Sequence, residues 1–468
     1  MRHRTLLDFL RNSGIFLLGA VLSRLITFLM LPVYTAVIPV ADYGYYDLSI
    51  TIMNLSCEAI FVNLWVALLR RMYDEDGDHG RILRAGILVF VGSASVYVLL
   101  AVVVGFVRAP RHLWLLVALG LVQAVNYVYK HACRGMKRNW DFAVSGILGS
   151  ITVAGLNLLF LLVFKWGFQS LYVATVLGLL AEVAYLEIRI GVARRIFVGR
   201  IFSVETKELA IVLFFSSVPL GLNAVANWFI NQANRSVVSY LWGFEENGIF
   251  AAAAKFGSLT MLVILALNYA WQDQAFKRGV GDGPFFSRAA TAYASAMLGG
   301  VSLLISAVDV VFPYVVNERY SNALAIVPFV LLMSAFAGFS NFLINIFYAL
   351  DRNVETMKAL LIAGLINALF VFPLVARWAS VGATLSAIVG YFGAIAFMLY
   401  RLRALIGLRV DFVYPLGSLV LLAISYTIFA IFDRFASFVW LLTMLVACLV
   451  AVWRLFGSKR VQRNSDEC

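Results

Sequence analysis

Charge is what this sequence has least of. Only 13% of its 468 residues are Asp, Glu, Lys or Arg, against about 25% in soluble domains. Hydrophobic residues make up 62%, so an ordinary water-soluble fold is excluded. Cysteine and histidine are scarce as well, at four each. Cys57, Cys133, Cys448 and Cys468 have no metal-ligand spacing and the histidines do not cluster. No metal centre is therefore expected, and the cysteines read as small apolar residues. No Gly-rich loop ending in Lys-Ser/Thr occurs, which excludes a P-loop ATPase within this chain. No long hydrophilic segment interrupts the apolar runs, so neither a soluble domain nor an extended external catalytic loop is expected.

The charges that remain sit in short clusters between clean apolar runs. Between Arg11 and Asp42 the only charge is Arg24, and between Asp47 and Arg70 the only one is Glu58. None lies between Arg84 and Arg108, Asp141 and Lys165, or Arg319 and Asp351. Crossing the hydrocarbon core takes about 20 apolar residues. Backbone exposed to lipid must satisfy its own hydrogen bonds, so each run predicts a helix. The fold class is all-α membrane protein, with fourteen spans at 12–38, 45–69, 85–107, 112–130, 142–164, 169–190, 209–240, 247–271, 287–311, 321–350, 357–377, 379–400, 412–432 and 435–453. Pro219 and Pro328 are candidate kinks in the two longest. The basic N-terminus lacks a small-residue cleavage site and is expected to open the first span rather than act as a signal peptide.

A net charge of +12 does not imply nucleic acid, because the cations are sorted by side. With the N-terminus cytoplasmic, 28 Lys and Arg fall on inside segments and 6 outside. That is the positive-inside bias expected of a multi-pass protein of the inner or plasma membrane, with both termini cytoplasmic. Nearly all loop cations therefore read as topology determinants. Arg24, Arg235 and Lys255 remain inside spans.

The chain repeats itself with an offset of 204–214 residues. Asp42-Tyr-Gly44 matches Glu246-Asn-Gly248, and Lys137-Arg138-Asn139 matches Asp351-Arg352-Asn353. Asn157 matches Asn367, and Ala174-Thr175 matches Ala383-Thr384. The unit is six spans, so both halves start from the same side, as in two-lobed transporters that rock around a midplane site. The expected organisation is an N-terminal lobe at 1–200, a C-terminal lobe at 201–405, and two further helices with a basic tail at 406–468.

Polar side chains inside spans are the candidate site. A charge at the bilayer centre costs at least about 2.5 kcal/mol and so normally faces a cavity or a partner. Residue counting puts Arg24 and Glu58 at similar depth on adjacent helices. They would form either a structural salt bridge or a cavity Arg for an anionic headgroup, with Glu58 tuning it or taking a coupling proton or cation. Thr51, Asn54 and Glu58 share a helical face, as do Gln123, Asn126 and Lys130. Asn223, Asn227, Asn231 and Asn234 form a stripe in the seventh span, followed by Arg235. Arg235 and Lys255 sit at one level in the outer half with no acid nearby in sequence. Snorkelling to the interface or interhelical hydrogen bonding are the plainer roles. If Arg24, Arg235 and Lys255 share a wet chamber, its cations suit a diphosphate and the amides suit sugar hydroxyls.

Several motifs carry a resemblance: Asn12-Ser13, Arg24, Leu31-Pro32-Val33-Tyr34-Thr35, Asp42-Tyr-Gly44-Tyr-Tyr, Arg134-Gly135 and the repeated lobes. On these the sequence resembles O-antigen-type oligosaccharide flippases of the polysaccharide transport family. That family belongs to the multidrug/oligosaccharidyl-lipid/polysaccharide (MOP) superfamily, with the lipid II flippases and multidrug extruders. The resemblance implies two six-helix lobes around a central cavity. It implies outward flipping of an undecaprenyl-diphosphate-linked oligosaccharide without ATP hydrolysis, and a role for Arg24. It implies a transporter, not an enzyme, working for cell-surface polysaccharide synthesis beside polymerase machinery. No cofactor is expected; energy would come from a coupling ion (H+ or Na+), the membrane potential or consumption of product. Lipid II flippases, drug/cation antiporters of the same fold and membrane-embedded glycan polymerases or ligases are the alternatives.

Overall fold

The computed structural model describes residues 21–74, 78–108, 110–198, 200–278, 283–411 and 413–447. Among them the secondary structure is helical, with no strand. The order is α1 (Val21–Val37), α2 (Val40–Ile60), α3 (Leu64–Asp74), α4 (His79–Arg108), α5 (Leu113–Gly135), α6 (Asn139–Leu158) and α7 (Gln169–Ile190). Then follow α8 (Val192–Phe197), α9 (Val204–Arg278), α10 (Gly283–Val315), α11 (Ala323–Ala349), α12 (Asn353–Ile406), α13 (Val413–Ile431) and α14 (Arg434–Ala447).

Among the described residues ten helices are long and apolar enough to cross a membrane, or eleven if the bent pair α2 and α3 counts as one span. The expected fourteen segments all find helices. The difference in count comes from the short described parts of α1 and α14, from the bent pair, and from the eleventh and twelfth spans, which run on as one helix. α9 holds the seventh and eighth spans, interrupted at Gly243 (φ 83°), where glycine avoids the cost of a left-handed backbone. α12 holds the eleventh and twelfth, interrupted at Trp378 and Ala379 (φ 47°). The backbone stays helical through Pro219 and Pro328, so the breaks are not where proline predicted them.

Large apolar side chains cover the outside, as lipid solvation allows. Leu99, Phe106, Val107, Leu365 and Leu369 are all exposed. α4 is 11% buried over its most apolar window and α11 61%, so α4 lies at a lipid-facing rim and α11 lies centrally in its unit.

The chain divides into two compact units, Met1–Ala251 with Val371–Ala383, and Ala252–Phe370 with Thr384–Cys468. In the first, Leu64, Leu68, Met72, Ile82, Leu83, Cys133, Leu186 and Ile190 form a core joining α3, α4, α5 and α7. The two matched turns of the repeat meet inside this unit. An added methyl on Gly44 would overlap the Phe244 carbonyl and the Gly248 amide, and one on Gly248 would overlap the Val40 carbonyl. Asn247 Nδ2 donates to the Gly44 carbonyl at 2.8 Å. The segment 371–383 joins the same unit: Ser380 N donates to Glu246 Oε1 (3.2 Å), and Trp242 Nε1 donates to the Val375 carbonyl (2.8 Å).

The second unit is knit by rings. Trp271 stacks on Phe342 at 4.2 Å between centroids, and Tyr293 lies 4.5 Å from the same ring. Arg401 Nε donates to Glu355 Oε2 at 3.0 Å, tying the two ends of α12.

Candidate functional site: a polar cavity in the first unit

α2 carries Asp47, Thr51, Asn54 and Glu58, spaced four, three and four, so they share one face. At 1.5 Å rise per residue the stripe is about 16 Å long. In an apolar helix such a stripe must be met by other polar groups or water. α5 and α9 meet it. Together the three helices line a cavity of about 460 Å³, with walls that include those four residues, Tyr127, Asn227, Trp228, Gln232 and Arg235. That volume is in the range of small-ligand sites.

Hydrogen bonds fix the walls. The buried Trp228 Nε1 donates to the Thr51 carbonyl at 2.9 Å, which anchors α9 on α2. Gln123 Nε2 donates to Asn54 Oδ1 (2.8 Å) and to Tyr127 Oη (2.9 Å), which joins α5 to α2. The Arg235 guanidinium donates to Asp47 Oδ1 and lies 5.9 Å from the centre of the Phe250 ring. Asp47 Oδ2 is buried and, among the described residues, accepts no hydrogen bond. Glu58 is half-buried and, among the described residues, makes no ion pair.

The Asn126–Lys130 face of α5 belongs to a second polar cluster, whose acid, Glu182, the sequence reading did not name. Glu182 of α7, 6% exposed, receives Lys130 Nζ at 2.6 Å and Asn126 Nδ2 at 3.0 Å. Glycine makes room for it, since a methyl on Gly149 would overlap the Glu182 carboxylate. Lys130 was expected among the cytoplasmic topology cations; it is half of a largely buried ion pair. The signal was an acid in the middle of the sixth span, but its partner lies 52 residues earlier on another helix, and nothing local links them.

The expected site residues are only partly brought together. Arg235, Asn54, Glu58 and Asn227 line the cavity. Arg24 is exposed on α1, outside the lining, and among the described residues it forms no ion pair with Glu58. The depth argument for that pair fails at a break between α2 and α3. Val62 (φ 45°) and Asn63 (φ 55°) turn the chain there by 51°, so residues counted from Arg70 do not measure depth. No acid lies near Arg235 in sequence; the structure supplies one from 188 residues away, Asp47. Lys255 belongs to the second unit, where it is half-buried and its carbonyl accepts from Ser258 Oγ at 2.6 Å. Of the three cations, Arg235 lines the described cavity.

The asparagine stripe also divides. Asn227 Nδ2 donates to Asn223 Oδ1 at 2.9 Å, with Asn223 exposed. The buried Asn234 donates to the Ala383 carbonyl at 2.8 Å. The side chain of Asn231 lies outside the described residues, as do Asn12 and Ser13. α9 turns the Trp228–Arg235 line toward α2. At about 100° per residue the stripe then falls roughly a quarter turn or more to one side.

A comparison with curated protein sequences finds no significant match. Solved structures share the fold. A lipid II flippase, MurJ, in an inward closed conformation superposes with a TM-score of 0.72 at 13% identity, covering 96% of this chain and 99% of that one. An inward-facing multidrug resistance MATE family transporter of the MOP superfamily gives 0.60 at 15%, covering 82% and 95%. A MOP superfamily transporter from Pyrococcus furiosus gives 0.53 at 14%, covering 84% and 96%. The family model described as "Polysaccharide biosynthesis protein" matches residues 9–271, more than half of the sequence. This multi-pass membrane protein has the MOP transporter fold and belongs to the polysaccharide biosynthesis protein family.

Proposed function

We propose that this protein is a flippase that moves a polyprenyl-diphosphate-linked oligosaccharide from the cytoplasmic to the outer leaflet of a bacterial or archaeal inner (plasma) membrane, for cell-surface polysaccharide synthesis. The carrying observation is the cavity walled by α2, α5 and α9. It puts amides, a phenol and carboxylates along a stripe about 16 Å long in a segment otherwise built for lipid. A saccharide headgroup crossing the membrane needs such a surface, because each unpaired hydroxyl in hydrocarbon is costly. Family membership supports the polysaccharide pathway, and the shared fold of the lipid II flippase supports a lipid-linked cargo. Alternating access would carry the cargo, and H+ or Na+ taken up by Asp47 or Glu58 would supply coupling. Arg24 and Lys255 are assigned to the diphosphate, since Arg235 is already neutralised by Asp47.

The test is reconstitution in proteoliposomes with a fluorescent, short-chain polyprenyl-diphosphate trisaccharide and a membrane-impermeant quencher. Protein-dependent loss of protection is expected. Arg24→Ala should abolish it with expression unchanged, and Lys255→Glu should impair it more than Lys255→Gln. No translocation by folded wild-type protein would overturn the proposal.

One observation favours a second reading. The cavity lining has two carboxylates to one guanidinium, a balance that also suits the organic cation of a drug antiporter. Ion-gradient-driven uptake of ethidium by the same vesicles, without movement of the lipid-linked sugar, would decide for it.

A further inference from the structure

The charge balance of the cavity selects among glycans, an inference that rests on the flippase reading above. Arg235 is committed to Asp47 and to the face of Phe250, so its cation is not open to a new anion. Asp47 Oδ2 remains a buried acceptor with no donor among the described residues. Glu58, about three turns away on the same face, adds a second carboxylate with no ion pair among the described residues. Counted as ionised, the lining carries two negative charges and one positive. Asn54 and Gln232 add neutral amides that read hydroxyls in either direction. A diphosphate or a uronic acid entering here would meet carboxylates of its own sign across a few ångströms, with little water to screen them. A hydroxyl would find acceptors, and a protonated amine would make charge-assisted bonds about twice as strong.

We infer that this cavity is a saccharide subsite that takes neutral or amine-bearing sugars and rejects acidic ones, leaving the diphosphate to be held outside it.

The experiment uses the full-length protein in lipid nanodiscs and three soluble disaccharides of one size. These are the di-amine of a glucosamine dimer, its N-acetylated form and a uronate-containing dimer; tetraphenylphosphonium is the control cation without hydroxyls. Calorimetric affinities should fall in the order di-amine, N-acetylated, uronate, with about tenfold between the first two, the worth of one charge-assisted bond. Glu58→Gln should shrink that gap to within about twofold while leaving the N-acetylated sugar bound. This variant keeps the side chain's shape, and retained binding of the neutral sugar reports that the site has formed. Uronate binding equal to or tighter than the di-amine would overturn the inference. So would an unchanged gap in Glu58→Gln, tetraphenylphosphonium binding as tightly as the di-amine, or no binding by any disaccharide. Translocation of the lipid-linked trisaccharide without this order of affinities sinks the selectivity alone. Absence of translocation sinks the reading beneath it.

Discussion

In the first repeat, Asp141 at the start of α6 accepts from Arg189 Nε at 2.8 Å; in the second, Glu355 at the start of α12 accepts from Arg401 Nε at 3.0 Å. Each acid also has a cation at i±3, Arg138 in one case and Lys358 in the other. The clasp is thus built twice, at matched positions. Between the clasped ends the repeats differ. The first buries Lys130, Glu182 and Asn126 as a charged cluster and hydrogen-bonds Asn157 Nδ2 to Tyr34 Oη at 2.9 Å. The second has Ile344 where the repeat offset would put Lys130, and no acid occurs between Glu355 and Arg401. Its interior is filled by Trp271, Tyr293, Phe339 and Phe342. The charged cluster therefore lies among residues 126–182 and the ring cluster among residues 271–342, while the polar cavity takes its walls from α2 and α5 and also from α9, beyond residue 200.

Breaking the charged cluster should have the largest effect. Glu182→Leu strands a largely buried Lys130 and should lower unfolding stability by about 3–5 kcal/mol, read by denaturant unfolding in detergent. Adding Lys130→Met should recover most of that loss. A single variant as stable as wild type would erase the contrast between repeats. Phe342→Ala tests the other copy; opening a cavity under Trp271 and Tyr293 should cost about 3 kcal/mol, with no rescue by any charge change. Trp228→Phe is milder. It removes the side-chain donor to the Thr51 carbonyl, which keeps its intrahelical bond, at about 1 kcal/mol, and should loosen α9 from α2, seen as faster hydrogen exchange at residues 47–58. Glu355→Gln should do least, because the Arg401 partner is 37% exposed; its unfolding midpoint should coincide with wild type. A large loss there would mean that the clasp, not the interior, carries the second repeat.

The spans were legible because a bilayer demands long charge-free runs, and the two breaks in α9 and α12 fall where the expected spans leave gaps. The Thr51–Asn54–Glu58 stripe was legible from spacing alone. Asp47 continues it by one turn and was missed because it stands near a helix end, where an acid reads as interfacial. The clasp and the Lys130–Glu182 pair join residues 46–52 positions apart, and periodicity is silent about partners on other helices. The Arg24–Glu58 pairing failed at Val62 and Asn63. A β-branched residue with positive φ gives no warning in sequence, yet that turn redirects everything counted through it.

The contact between Gly44 and Gly248 has a consequence for how such a chain changes over time. These residues are the same position in the two copies, and each occupies the space a side chain on the other's segment would need. After a duplication, most sites in the halves drift separately. Here a mutation in either half is judged by the other, so the pair behaves as a single inherited site. Gly44→Ala and Gly248→Ala should fail alike, and combining them should give no relief, since each methyl would meet backbone of the other's segment.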